Sequence, residues 1–174
     1  MEPGDRARFE AIVLPHLDAA CGLARCLMRN AADAEDVVQE AFLRALRHFD
    51  GFRGATASDG RAWVLTIVRN AAHTWQSRRG ARGMTEFDET VHSVPVEPEA
   101  LTTAARQDAR ETVSGALERL PQDLREVIVL REIEGLSYKE IGDVAGVPIG
   151  TVMSRLSRAR RRLHDALVAS GETR

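Results

Sequence analysis

Cysteine occurs only twice in the 174 residues, at Cys21 and Cys26, which excludes a disulfide-built scaffold. Aromatic residues are scarce at 5%, while Ala, Leu, Arg and Glu abound, a balance that favours helix. No run of about 18 apolar residues exists, so no membrane-spanning helix is expected. Met1-Glu2-Pro3-Gly4-Asp5 lacks the basic-then-apolar plan of a secretory leader, which points to the cytoplasm. The five His residues are scattered without metal-ligand spacing, and neither a Gly-rich phosphate loop nor a nucleophile motif is present. No metal, cofactor or catalytic residue is therefore expected, and the chain does not read as an enzyme. What is present fits a soluble globular protein of one medium domain or two small ones: 44% of residues are apolar and 29% charged, too apolar for wholesale disorder.

Lysine is nearly missing too, since Lys139 is the only one among 24 basic residues. A GC-rich genome explains that shortage. It does not explain the charge pattern behind the net −2. Residues 61–83 and 149–163 each hold five Arg and no acid, whereas 84–126 carry a net of −6. Arginine offers a planar fork of donors that suits phosphate and guanine.

Apolar spacing organises the chain into two helical units. Phe9, Ile12, Val13, Leu17, Ala20, Cys21, Ala24, Leu27 and Met28 follow helical steps, interrupted at Pro15. Asp33 is read as the cap of a second helix, with the stripe Val37, Val38, Ala41, Phe42, Ala45, Leu46 and Phe49. Residues 50–60 read as a loop by composition, and a third helix is predicted over 61–80. In that helix Trp63 and Trp75 are better placed for core packing than for base stacking. Residues 84–108, with Pro95, Pro98 and several acids, read as a linker. Helices are predicted at 109–119 and 122–133, with Pro121 in the first turn of the latter. Ser137–Ala145 and a last helix to about Leu167 complete the second unit. The expected fold is all-α: domains 1–83 and 109–174, a flexible linker at 84–108, and a helix-turn-helix in the second domain. Cys21 and Cys26 read as small core hydrophobes.

The helix-turn-helix is the strongest local signal. Ser137 and Glu140 form a capping-box pattern. Ile141 and Val144 point inward, Gly142 is small at a helix crossing, and Gly146 suits a turn with positive φ. Val147 and Val152 fill the corner. The following helix, from Ile149, is the second Arg block and carries no acid, as entry into a DNA major groove requires. Gly150, Thr151, Met153, Ser154, Arg155, Ser157 and Arg158 lie near its start, in reach of base edges or adjacent phosphates. Arg160, Arg161 and Arg162 lie further along, suited to phosphates.

Three segments together resemble the sigma factors of bacterial RNA polymerase. Leu120–Arg162, with Leu-Ser-Tyr-Lys-Glu-Ile-Gly and Val-Pro-Ile-Gly-Thr-Val-Met-Ser-Arg-Leu, is similar to their C-terminal domain. Asp33-Ala-Glu-Asp-Val-Val-Gln-Glu-Ala-Phe-Leu-Arg-Ala45 resembles their polymerase-binding helix, and Arg61–Ala71 resembles their −10 element helix. Order and spacing match the small extracytoplasmic-function (ECF) group. The resemblance implies that Asp36, Gln39, Glu40 and Arg44 dock on the coiled coil of the polymerase's largest subunit. It implies that Arg69, Asn70, His73, Arg78 and Arg79 meet −10 promoter DNA, and that loop 50–60 borders a pocket for an extruded base. The second domain would read the −35 element, and an anti-sigma factor would control the whole. Two other readings fit parts of the chain: a stand-alone helix-turn-helix regulator, which leaves 33–45 and the first Arg block unexplained, and a helical protein–protein adaptor.

Overall fold

The computed structural model describes residues 3–28, 30–81 and 104–172, with side chains over 5–28, 30–79 and 111–169. Residues 84–103 of the expected linker lie outside the described residues. Helix α5 already begins at Ala104, inside the stretch read as linker. Among the described residues there is no strand.

The first unit is α1 (Pro3–Val13), α2 (Leu17–Leu27), α3 (Ala31–His48) and α4 (Ala57–Ala81). The interruption expected at Pro15 is a 3₁₀ turn, Leu14–His16, which His16 ties to α4 by donating from Nε2 to the Ala57 carbonyl at 2.5 Å. α3 is capped by Asn30 rather than Asp33. The Asn30 side chain accepts from the Asp33 amide at 2.7 Å, so Asp33 sits in the first turn and its carboxylate is free to pair with Arg79. The buried stripe of α3 is Ala34, Val37, Val38, Ala41 and Ala45; Leu46, expected within it, lies on the exposed side. Nor does the loop extend over 50–60. Phe49–Gly51 is a 3₁₀ turn, and α4 starts at Ala57 because Thr56 and Asp59 cap it. The Asp59 carboxylate accepts from the Ala55 and Thr56 amides at 3.0 Å, and the Thr56 hydroxyl accepts from the Asp59 amide at 3.3 Å.

α4 is the spine of this unit, burying Val64, Leu65, Val68, Ala71 and Ala72 against α1, α2 and α3. It crosses α1 at Gly60, where an added Cβ would lie 2.6 Å from Ile12. Phe9, Phe49, Phe52 and Trp63 close one end as a ring cluster, with Phe9 edge-on to Phe49 at 5.2 Å and Phe52 at 4.8 Å from Trp63. Trp63 and Trp75 both pack on the core, as their spacing suggested.

The second unit is α5 (Ala104–Glu118), α6 (Gln122–Ile128), α7 (Tyr138–Ala145) and α8 (Ile149–Glu172). Pro121 caps α6 from just outside, its carbonyl accepting from the Leu124 and Arg125 amides. A π turn, Val129–Ile133, widens the chain after α6, with the Glu134 amide reaching the Val129 carbonyl at 3.0 Å. Val152, Leu156 and Ala159 of α8 are buried against α5, α6 and α7.

The two units pack on each other. α7 lies along α4, and α6 with the π turn meets α2. One apolar cluster runs through both, joining Leu23 and Val68 to Leu124, Val127 and Ile141.

Candidate nucleic-acid interface and docking face

The helix-turn-helix follows from its local chemistry. Ser137 and Glu140 form a reciprocal capping box: the Ser137 hydroxyl accepts from the Glu140 amide at 3.2 Å, and the Glu140 carboxylate accepts from the Ser137 amide at 2.7 Å. These bonds hold the Glu140 carboxyl below the usual carboxylate range. Gly146 takes φ +66°, and the Val147 amide closes back onto the Gly142 carbonyl at 3.0 Å, ending α7. A Cβ on Gly142 would approach the Val147 carbonyl oxygen to 3.0 Å, so only a small residue fits at this crossing.

This turn delivers α8 with its buried stripe inward. Gly150, Met153, Ser154, Ser157 and Arg158 share the opposite, exposed face, and Thr151 is half-buried beside them. Met153 is 53% exposed, far too open for a packing residue. Ser154 donates to the Thr151 carbonyl at 3.0 Å, and Arg158 Nε donates to the Ser154 carbonyl at 3.3 Å. Arg155 departs from this set. It turns back to Asp123 of α6 at 3.4 Å, and its Nε is buried without a hydrogen-bond partner. Further along, Arg160 is engaged by Glu132 at 2.7 Å, while Arg161 and Arg162 are exposed.

The five residues singled out on α4 divide among three environments. Asn70 and Arg78 are exposed. Arg79 pairs with Asp33 of α3. Arg69 and His73 instead face the second unit, where Arg69 Nε meets Glu126 Oε1 at 2.5 Å. Burial pushes the Glu126 carboxyl up, partly offset by Arg69. Burial, with Arg69 beside it, pushes the His73 imidazole below its ordinary range.

On α3, Asp36, Gln39, Glu40 and Arg44 stand at helical steps on the outward face. They line a shallow open groove of about 370 Å³ with Thr74, Trp75 and Arg78 of α4. Arg44 donates to Glu40 at 2.7 Å and holds its carboxyl below the usual range. Leu43, which sequence reasoning passed over, also lines this groove and is 49% exposed. Its signal was legible: it stands seven residues after Asp36, outside the buried stripe, on a helix otherwise charged on that side. Among the described residues no cluster of His, Cys, Asp or Glu forms a metal site, and no helix is long and apolar enough to cross a membrane.

The fold and these faces define a two-part, all-helical protein built around a helix-turn-helix. Residues 12–82 match the family model for sigma-70 region 2, and residues 110–163 match that for sigma-70 region 4. The chain is 35% identical to the RNA polymerase sigma-H factor of Pseudomonas aeruginosa, over 96% of this chain and 90% of that protein. It is 33% identical to the ECF RNA polymerase sigma-E factor of Escherichia coli K12, over 95% and 89%. Similar solved structures include the following two. The sigma factor RpoE of Bartonella quintana, in complex with the anti-sigma factor NepR, is 33% identical with a TM-score of 0.71, covering 88% of this chain and 92% of that one. CnrH, in complex with the cytosolic domain of CnrY, is 30% identical with a TM-score of 0.63, covering 92% and 88%. The chain belongs to the sigma-70 family of RNA polymerase sigma factors, in its ECF group.

Proposed function

We propose that this chain is a dissociable specificity subunit of RNA polymerase that places promoter DNA at −10 and −35 and works in the cytoplasm, where its polymerase and DNA lie. The observation that carries this reading is the exposed face of α8, Gly150, Met153, Ser154, Ser157 and Arg158, on the unit that matches region 4. It offers a close backbone approach, small hydroxyls, one apolar tip and one guanidinium, the mixture that base-edge and phosphate contact uses. Residues 1–83 act as the −10 and polymerase-binding domain, 84–108 as the linker and 109–174 as the −35 domain.

The groove between α3 and α4 receives the coiled coil of the largest subunit. Asp36, Gln39, Glu40 and Arg44 supply polar contacts, and Leu43 an apolar one. Asn70 and Arg78 contact −10 DNA from the exposed face of α4, Arg69 and Arg79 join them once Glu126 and Asp33 release them, and His73 joins once it is uncovered. An anti-sigma factor controls the chain, a reading supported by the similar sigma factor RpoE of Bartonella quintana, held by the anti-sigma factor NepR. The role is binding and positioning, with catalysis left to the polymerase.

Titration of labelled chain with purified core polymerase tests the docking face. Asp36→Ala with Gln39→Ala weakens core affinity about tenfold and leaves the thermal midpoint within about 1 °C, since both side chains are exposed. Unchanged core affinity would reject the assignment. A stand-alone regulator, by contrast, binds duplex DNA tightly without polymerase in a gel shift.

A further inference from the structure

Arg8 of α1 belongs to neither Arg block and stands before residue 12, where the match to region 2 begins. Its side chain is exposed, yet it is held by a distant part of the chain. Nη2 donates to the Phe52 carbonyl at 3.2 Å and to the Gly54 carbonyl at 2.9 Å. The guanidinium also lies over the Phe49 ring, 5.0 Å from its centroid. Both donated bonds end on loop backbone, so what Arg8 fixes is the path of the chain between the 3₁₀ turn and α4.

That path is tied along its length. Phe52 is buried in the ring cluster, the Asp59 carboxylate takes the Ala55 and Thr56 amides at 3.0 Å, and His16 takes the Ala57 carbonyl. A Cβ on Gly54 would lie 2.5 Å from Asp59 Cβ and nearer still to the Phe52 ring, so the loop is closed tightly on its base. Arg53, Ala55 and Thr56 are nevertheless exposed, and these ties hold them outside any core. An outward loop on a rigid scaffold is where recognition residues sit, and one already ordered binds at a smaller loss of entropy. Its direction follows from α4. Asp59 and Asn70 are eleven residues apart, close to three whole turns, so they share one face of the helix. The loop capped by Asp59 therefore heads the Asn70 face, about 17 Å away along the axis, or about five nucleotides of a stacked strand.

We propose that Arg8 is a positioning residue for promoter reading: it holds the Phe52 and Gly54 carbonyls so that Arg53, Ala55 and Thr56 stand preformed at the head of the Asn70 face, where they contact one base of the −10 strand. The proposal rests on the reading of the first unit as the −10 domain. Arg8 acts through the loop and not through a contact of its own with DNA.

Holoenzyme made from the full-length chain and purified core polymerase tests it. The probe is a fluorescent forked duplex from a promoter found by start-site mapping, with its non-template −10 strand left single-stranded. Each −10 position is changed in turn to every other base and the affinity is measured. Arg6→Ala, on the same helix and paired with Glu10 at 2.9 Å, removes the same charge away from the loop. Relative to that control, Arg8→Ala lowers base discrimination at one −10 position about five- to tenfold and leaves the other positions and a −35 duplex within about twofold. Amide hydrogen exchange over residues 50–57 rises in Arg8→Ala and not in Arg6→Ala. If circular dichroism shows that Arg8→Ala unfolds the first unit, Arg8→Met, which keeps the aliphatic stem over Phe49, carries the test with the same expectation. Discrimination equal to the control at every position overturns the proposal. A uniform loss at all positions and at −35 overturns it too, since Arg8 then serves stability alone. Lost discrimination with unchanged exchange makes Arg8 a direct contact and rejects the positioning role. Wild-type holoenzyme that selects no promoter rejects the sigma-factor role itself, an outcome distinct from a selective wild type matched by Arg8→Ala.

Discussion

Cys26 lies where α2 meets α6, and burial pushes its thiol from an ordinary 9.0 to about 12. The folded chain therefore keeps this proton through a range in which the unfolded chain loses it. Its contribution to stability is complete below pH 9 and declines as pH rises from 9 towards 12, with a slope approaching about 1.4 kcal/mol per pH unit. Urea denaturation at pH 8, 9.5 and 10.5 checks this: Cys26→Ala flattens the alkaline decline, and an unchanged slope contradicts it. The sequence identified both cysteines as small core residues, which holds for Cys26; Cys21 is half-exposed. The contact of Cys26 with Arg125 spans 99 positions, a distance at which no periodicity operates.

At the scale of the element, the helix-turn-helix was legible almost to the residue because its determinants are local. A cap and its partner stand three residues apart, and Gly142 and Gly146 each answer a single steric demand. Ser137→Ala lowers stability by about 1 kcal/mol in chemical denaturation through loss of the cap. Gly142→Val costs about 1–3 kcal/mol, because the Val147 carbonyl already stands 3.0 Å from where a Cβ would be. A stability equal to wild type in either variant contradicts the geometry. On α8, Arg158→Ala makes the salt dependence of polymerase-bound promoter affinity shallower by about 0.9 in log–log slope if its guanidinium neutralises one phosphate. An unchanged slope removes Arg158 from the DNA face. Elsewhere local signals competed. Asn30 and Asp33 are both good caps, and the chain uses the earlier one. Thr56 and Asp59 cap α4 inside a stretch whose glycines and small residues read as loop. The π turn after α6 left no pattern that apolar spacing reveals.

At the scale of the molecule, apolar periodicity gave two helical units but not their union. The ion pairs Arg69–Glu126 and Arg61–Glu134 link positions 57 and 73 residues apart. In sequence those acids belong to amphipathic segments that look solvated. Because one apolar cluster runs through both units, the free chain is expected to unfold in a single calorimetric transition. Two well-separated transitions would show that the units are energetically independent. The central claim concerns what this compact chain does when a polymerase takes it up. The most direct measurement is run-off transcription with purified core polymerase on genomic fragments, with start sites mapped. We expect the added chain to direct initiation at a small set of sites that share upstream sequence at −35 and −10. Initiation no more selective than that of core polymerase alone, with no inhibitor present, would contradict it.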